Sequence, residues 1–490
     1  MSKQRFLFES EAHSRDQGDD IVPKRDILHA GRLGAFSQSA ARYTSSIDID
    51  HRLLPAVVAI NMAHVLALSE KSMISRKDAA KLVNRLARVP KDLAMNYALE
   101  DVHMNVEDYV ISKVGNDVGG MLNLGKSRND QVATALRMEL RNQLIAVGSA
   151  AISLQKSFLT QAAKNSAVFM PGYTHLQRGQ PVTVGHHLLA HFDALDRDFA
   201  RLVDCYLRTN QSPMGSGALA STGIPIDRKR VAHLLGFDSL TKNSLDAVSS
   251  RDFATEAIYV CTQIMIDMSR LAEEILIWTT KEFAFAEISD KHASTSSMMP
   301  QKKNAVVPEI FRAKTSQVLG DLVGSIGIMK SLPLSYNLDL QELTRNLWSA
   351  VDKTSDSLQM LSEIVNEMKF NNKTLEDATT DDDFLYATEL ADYLVVEFKL
   401  SFREAHNRVG ALVRHCSKDL HLTSKQFRSL DEASLSKILG VRLTVEQLEN
   451  VVAPSNVLSR RTPIDGQRAY DQSEYLLKLA PPSPLEIGWF

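Results

Sequence analysis

Long proline-free stretches with apolar residues at three- and four-residue steps fill the middle of the chain. From Gln131 to Asn165 the one breaker is Gly148, and Val132, Leu136, Leu140, Leu144 and Val147 share a face. That spacing predicts one continuous helix of about 50 Å at about 1.5 Å per residue. The stretches His186 to Asn210 and Arg251 to Thr280 contain neither Gly nor Pro and read the same way. Glu309 to Lys330 keeps the helical pattern, with Gly320, Gly324 and Gly327 as marks of close helix contact. The run Ile258-Tyr259-Val260-Cys261, continued by Ile264, Met265, Ile266 and Met268, is apolar around most of its circumference. A helix of that kind must be buried on nearly all sides. It predicts a multi-helix bundle, one open to extension across subunits.

Outside this region the pattern weakens. The chain is polar to about Asp26, loop-like at Gly31-Arg32-Leu33-Gly34, and helical in pattern from about Leu53. Short helices give way to long ones near Asn123. A second change comes near Phe370, where Asn371-Asn372-Lys373 and the acidic run Asp381 to Asp383 interrupt the periodicity. No short-period repeat occurs, and no strand–helix alternation of the kind a nucleotide-binding sheet requires. The expectation is an all-α protein of three mostly helical units, residues 1–124, 125–376 and 377–490, with a long central helix bundle in the second.

Composition narrows the class. A chain of 490 residues exceeds one ordinary core, and 44% hydrophobic with 23% charged residues describes a globular protein. A formal net charge of −3 gives no electrostatic reason to expect a nucleic acid or membrane partner. Cys205, Cys261 and Cys416 lie far apart, make no metal or redox pattern, and suit a reducing cytosol. The N-terminus lacks the apolar run of a signal peptide, and the sequence reads as having no apolar stretch of membrane-spanning length. A soluble, cytoplasmic protein is the expectation.

Four polar stretches interrupt the helical pattern and carry candidate chemistry. Ser294-Thr295-Ser296-Ser297-Met298-Met299-Pro300-Gln301-Lys302-Lys303-Asn304 places four hydroxyls just ahead of a lysine pair and an amide. A small oxygen there can take a proton while cationic and amide donors hold a carboxylate as charge builds on it. A helix cap is the competing reading of such a Ser/Thr cluster. Gly125-Lys126-Ser127-Arg128-Asn129-Asp130-Gln131 stands at the mouth of the first long helix. Backbone N–H groups there favour a bound carboxylate, with a solvated cap as the alternative. Pro171-Gly172-Tyr173-Thr174-His175-Leu176-Gln177 gives a histidine polar neighbours, and Glu309 can orient the imidazole if the fold brings the two together. Tyr336 and Gln341, in Ser335-Tyr336-Asn337-Leu338-Asp339-Leu340-Gln341-Glu342, either fix a substrate or cap a helix end.

Ser-Ser-x-Met-Pro-x-Lys-x-Asn at 296–304 resembles the signature of the fumarase/aspartase superfamily. The stretches 125–131, 170–177 and Asn243-Ser244-Leu245-Asp246-Ala247-Val248-Ser249-Ser250-Arg251-Asp252-Phe253 narrow the resemblance to argininosuccinate lyases. Residues 336–342, Ser46-Ile47-Asp48-Ile49-Asp50 and Glu100-Asp101-Val102-His103 are similar as well. The resemblance runs from about residue 30 to 415. It implies a fumarase/aspartase-like three-domain helical fold, assembled as a homotetramer whose active sites each draw on three subunits and need no cofactor. It implies that Ser296 is the base removing the proton beside a carboxylate, and that Lys302 and Asn304 stabilise the aci-carboxylate that follows. Thr174 and His175 would line the site, with His175 paired to Glu309. Ser127, Arg128 and Asn129 would grip the fumarate half, and Ser46, Asp50, Tyr336 and Gln341 would contact substrate.

The reaction implied is anti elimination across a C–N bond of an N-substituted aspartate, argininosuccinate giving arginine and fumarate. Thr344-Arg345 stands where many members carry a lysine after the 336–342 motif, which leaves a second amine open. A lyase acting on another N-succinyl amine or an aminopolycarboxylate is that alternative. A non-catalytic structural protein on the same scaffold is a third.

Overall fold

In the computed structural model, residues 37–97, 99–380, 383–417 and 427–460 are described. The polar stretch before Asp26, the 31–34 loop and Asp381 and Asp382 lie outside the described residues. The described residues form two compact units, one of residues up to 128 with 224–227 and one of residues 129–223 with those from 228 onward.

In the first unit, helix Leu54–Glu70 starts on Pro55, where the missing N–H costs nothing, and buries Val57, Ile60, Asn61, His64, Val65 and Leu68. Helix Arg76–Leu86 is capped by Ser75, whose hydroxyl accepts from Asp78 N–H. Helix Val102–Val114 is capped by Asp101 accepting from Met104 N–H, and it ends at Gly115, where φ is +86°. The Ser39–Glu70 run corrects one expectation. With a mean hydropathy of 1.6 over its most apolar 18-residue window, it is long and apolar enough to cross a membrane by those two criteria. Within the protein 61% of its apolar window is buried, as in the core helix of a globular protein.

The second unit holds the long helices. Arg128–Lys164 spans 37 residues, about 55 Å, and starts three residues ahead of the expected Gln131. Helices Val184–Thr209 and Asp252–Trp278 follow the expected bounds within two residues. Val306–Met329 begins ahead of Glu309, and Asp339–Glu367 completes the bundle. Helix 252–278 packs against 184–209, 306–329 and 339–367. Helix 128–164 meets 339–367 through Ser157 and Ser362 and through Gln161, which donates to the carbonyls of Asn366 and Met368.

Burial of helix 252–278 is less complete than its composition suggests. Ile258, Val260, Cys261, Ile264 and Met265 are fully buried, whereas Tyr259 is 46% and Ile266 38% exposed. Helix 306–329 continues that open apolar surface with Ile310, Leu319, Val323 and Ile326. Of its glycines, only Gly324 makes a close contact, with Asn346; Gly320 and Gly327 face open space.

Strands are few, and one pair carries chemistry. Phe169–Thr174 and Gln177–Thr183 form an antiparallel hairpin, an element outside the mostly helical expectation. Its base is fastened to the helices: Val184 N–H donates to Val168 O, and Gly185 N–H to Asn165 O. Gly185 is required there, because a Cβ would come within 2.7 Å of Ala162 O. Residues 385–457 build a separate hydrophobic core around Tyr386, Leu390, Leu412, Phe427 and Leu448.

Candidate active site

The first unit brings three of the polar motifs together. Ser46 N–H donates to Glu100 O at 3.2 Å, and Ser45 Oγ donates to the same carbonyl at 3.1 Å. Ser46 Oγ also donates to Asp50, and both residues are buried. One residue on from Glu100, Asp101 takes Arg128 Nη1 at 2.5 Å, and Glu107 lies 3.8 Å from Arg128 Nη2. Ser46, Asp50 and Arg128 are thereby tied to one short segment, 100–101. The Arg128 side chain stays 31% exposed.

Beneath this group lie two buried histidines. Burial first, and the Lys126 charge second, push the His64 pKa down to about 3, against its hydrogen bond to Leu124 O. Burial, then Arg128 and Lys126, holds His103 well below the ordinary imidazole value. Both rings are therefore neutral, so the positive charge belongs to Lys126 and Arg128. Lys126 Nζ donates to Asn61 Oδ1. Gly125 makes the approach possible: its φ is +74°, and a Cβ there would run into Ile224 at 2.8 Å. Lys126 and Arg128 are the cations this group offers to a carboxylate, with Asp101 and Glu107 already drawing on Arg128.

In the second unit Asn129 donates to Ala218 O at 3.0 Å. Asp130, fully buried, accepts from Gly215 N–H at 3.0 Å and Gly217 N–H at 2.9 Å. That carboxylate fastens loop 213–221 to the start of the 128–164 helix. Sequence reading missed this role, although a buried charge beside a polar motif is the signal for it.

The hydroxyl-rich run is a small hairpin and not a helix cap. Ser294 pairs with Asn304 and Thr295 with Lys303, and the next helix begins only at Val306. Ser296 and Lys302 therefore stand at the two ends of the loop that the last pair closes. Ser296 Oγ accepts from Met298 N–H at 3.2 Å and Met299 N–H at 3.1 Å. Two backbone donors aimed at one hydroxyl oxygen favour negative charge on it.

The adjacent lysines separate into different roles. Lys303 Nζ donates to Glu287 at 2.9 Å, Asp290 at 2.7 Å and Ile288 O at 2.7 Å. Its hydrogen bond to Asp290 raises its pKa, and the same bond lowers that of Asp290. Lys302 is exposed and has no side-chain bond among the described residues. Asn304 is half-buried, and Glu309 is exposed in the first turn of the 306–329 helix.

His175 and Leu176 form the two-residue tip of the 169–183 hairpin, with Thr174 paired to Gln177 across it. Their φ values are +54° and +59°. That geometry is the type I′ turn, which ordinarily takes Asn-Gly, and it costs about 1–2 kcal/mol per non-glycine residue. Thr174 and His175 are both exposed. Among the described residues no hydrogen bond or ion pair joins Ser296, Lys302 or Glu309 to Thr174 or His175. One chain therefore does not hold the His175–Glu309 pair.

Tyr336 and Gln341 bracket the start of the 339–367 helix. Tyr336 faces Arg251, a fully buried arginine whose pKa burial lowers to about 10 while Tyr336 and Asp252 raise it. The 243–253 and 336–342 motifs thus converge.

A further cluster lies on the helices. His187 and His191 on helix 184–209 place Nε2 at 2.7 and 2.8 Å from one oxygen of Glu274 on helix 252–278. Burial raises the Glu274 pKa, yet bonds from His187 and His191 hold it down at about 2. The sequence reading assigned no metal ligands, but these three side chains have the donor set for a cation. The His-x-x-x-His spacing was the available signal.

Residues 35–320 match the family described as Lyase, and residues 384–458 the family described as Argininosuccinate lyase C-terminal. An argininosuccinate lyase of Methanosarcina barkeri is 41% identical over 457 residues, covering 92% of this chain and 92% of its own length. The argininosuccinate lyase of Methanothermobacter thermautotrophicus is 42% identical over 446 residues, covering 89% of this chain and 94% of its own. Among solved structures, EDDS lyase in complex with formate superposes with a TM-score of 0.76 at 25% identity, over 93% of this chain and 89% of that one.

Proposed function

The chain belongs to the argininosuccinate lyase family, and from that premise we propose that it cleaves argininosuccinate to arginine and fumarate. Ser296 Oγ removes the proton from the succinyl carbon next to a carboxylate. Electron density moves into that carboxylate as an aci-anion, which Lys302 and Asn304 neutralise. Return of the electron pair forms the fumarate double bond and breaks the C–N bond on the opposite side; the nitrogen leaves as a neutral guanidine and takes a proton from solvent to give the arginine guanidinium, while Ser296 returns its proton to solvent. Arg128, Ser127 and Asn129 hold the fumarate half, with Ser46 and Asp50 beside them. Tyr336 and Gln341 contact substrate from the other helix, and Thr174 and His175 line the site.

The observation that carries this reading is the pair of N–H groups on Ser296 Oγ. Hydrogen bonds to a charged acceptor contribute about 1.5–3 kcal/mol, against about 0.5–1.5 to a neutral one, so both donors together make the alkoxide about 2–3 kcal/mol more accessible. Without such donors serine is too weak a base for this proton.

The proposal includes a homotetramer with active sites shared between chains, His175 of one chain meeting Glu309 of another. Support comes from the exposed apolar strip of Tyr259, Ile266, Ile310, Leu319, Val323 and Ile326, and from the open faces of Gly320 and Gly327. Small residues in an exposed apolar face let a further helix approach closely. Three domains, 1–124, 125–376 and 377–490, are part of the proposal, supported by the separate core of 385–457. Cys205 and Cys261, buried free thiols, support a reducing, cytoplasmic setting.

Fumarate release measured on argininosuccinate and a series of other N-succinyl amines tests the function. Preference for argininosuccinate, lost in Ser296→Ala with the tetramer intact, is expected. Preference for a different amine would move the assignment to an aminopolycarboxylate-type lyase, and near-normal turnover by Ser296→Ala would remove Ser296 as the base.

A further inference from the structure

We propose that His187, His191 and Glu274 form a binding site for a divalent zinc-class cation, separate from the elimination machinery. The two histidines are one helical turn apart and project from the same face of helix 184–209. Glu274 reaches them from helix 252–278, and the ligand atoms of all three residues lie within 4.8 Å of one another.

The geometry is that of ligands already converged. Both Nε2 atoms turn toward the same carboxylate oxygen, at 2.7 and 2.8 Å. Ligand atoms at about 2.1 Å in a tetrahedral zinc site stand about 3.4 Å apart, so the contacts open by a little over half an ångström when a cation enters. Each imidazole then carries its proton on Nδ1, and two Nε2–H···O bonds are exchanged for two Nε2–metal bonds.

The rings are held in place before any cation arrives. Phe158 stacks on His191 with centroids 6.3 Å apart and planes at 25°, and the Trp278 edge meets His187 at 5.1 Å and 69°. Entry remains open, since the side chain of Glu274 is 34% and that of His187 26% exposed, while His191 is 10% exposed. Two imidazoles and one carboxylate carry a net charge of −1 and supply nitrogen and oxygen donors of borderline softness. That set favours zinc and its neighbours over magnesium or calcium, which take oxygen ligands. A fourth position is left for water. None of the three residues has a part in the elimination, so the site joins two bundle helices and its role is structural.

Full-length protein freed of metal is titrated with Zn²⁺ alone by calorimetry near pH 7.5, and with Co²⁺ by visible absorption. The proposal expects one cation per chain, a higher thermal midpoint when loaded, and an intense tetrahedral Co²⁺ spectrum. Glu274→Gln, which keeps shape and hydrogen bonding but removes the charge, should weaken binding about 10–100-fold, and His187→Gln at least as much. His186→Ala, on the adjacent exposed residue, should change nothing. His191→Ala also opens the packing against Phe158, so a folding failure there does not bear on the outcome while Glu274→Gln is read. No saturable binding at 100 µM Zn²⁺, or binding equal in wild type, Glu274→Gln and His187→Gln, overturns the site.

Discussion

Replacing Asp130 by alanine isolates the role of a single buried carboxylate. Its Oδ2 accepts the N–H groups of Gly215 and Gly217, and its charge lies near Arg228, which also donates to Met214 O and Thr241 O of the same region. Alanine removes two bonds to a charged acceptor, worth about 1.5–3 kcal/mol each, and leaves two buried donors unmet. Water entering the gap recovers part of this, so the local loss is about 3 kcal/mol. At about 1.4 kcal/mol per factor of ten, amide exchange of residues 215 and 217 should quicken about 100-fold, as read by hydrogen–deuterium exchange on peptides covering 213–221. Asp130→Asn keeps an oxygen acceptor and loses the charge, so about 10-fold is expected from it. Because Asn129 is held by Ala218 O in the same loop, kcat/KM should fall about 10–100-fold in the alanine variant. Exchange in 213–221 that is unchanged in Asp130→Ala would refute the anchoring role, whatever happens to activity.

Three further expectations follow from other parts of the structure. Lys302→Ala should lower kcat about 10²–10³-fold with the thermal midpoint unmoved, whereas Lys303→Ala should cost under about tenfold, since its partners Glu287 and Asp290 are largely exposed; equal losses in steady-state assays would contradict this division. Asp198, whose side chain is fully buried, has a pKa pushed up to about 7 by burial and then by Asp267, against Arg201. The folded value lies above the unfolded one, so its cost is absent below about pH 4, grows as pH rises, and is complete above 7. Asp198→Asn should therefore gain stability on the order of 3 kcal/mol at pH 8 and clearly less at pH 5, and an equal shift in urea midpoint at both pH values would contradict the linkage. Gly185→Ala should destabilise by about 1–3 kcal/mol in urea denaturation, because its Cβ meets Ala162 O at 2.7 Å; a neutral result would mean that the two helices part without cost.

The long helices were legible because three- and four-residue spacing survives any tertiary context, and helices 184–209 and 252–278 stop close to where the pattern does. The 169–183 hairpin was not. Pro171, Gly172, Gly179 and Pro181 read as breakers, and its turn holds His-Leu where a sequence signal would be Asn-Gly. The candidate site residues were legible as motifs, but the contacts that set them apart were not. Nothing in Lys302-Lys303 tells which lysine is bound up in ion pairs, because Glu287 and Asp290 reach the second only through the register of a four-residue sheet. Convergence of Ser46 and Glu100 likewise depends on a backbone bond that leaves no trace in side-chain pattern. His187, His191 and Glu274 were passed over because their spacing is also that of an ordinary bundle face.

The tip of the 169–183 hairpin has a practical corollary for anyone engineering this protein. His175 and Leu176 occupy mirror-image backbone space that Asn and Gly enter freely, so an Asn-Gly graft at these positions should yield a hardier fold. The same graft would delete the imidazole that the proposed elimination calls on. Selection for heat resistance alone should thus drift toward an inert scaffold, and the position where ruggedness rises as turnover vanishes will mark the histidine as retained for its reactivity.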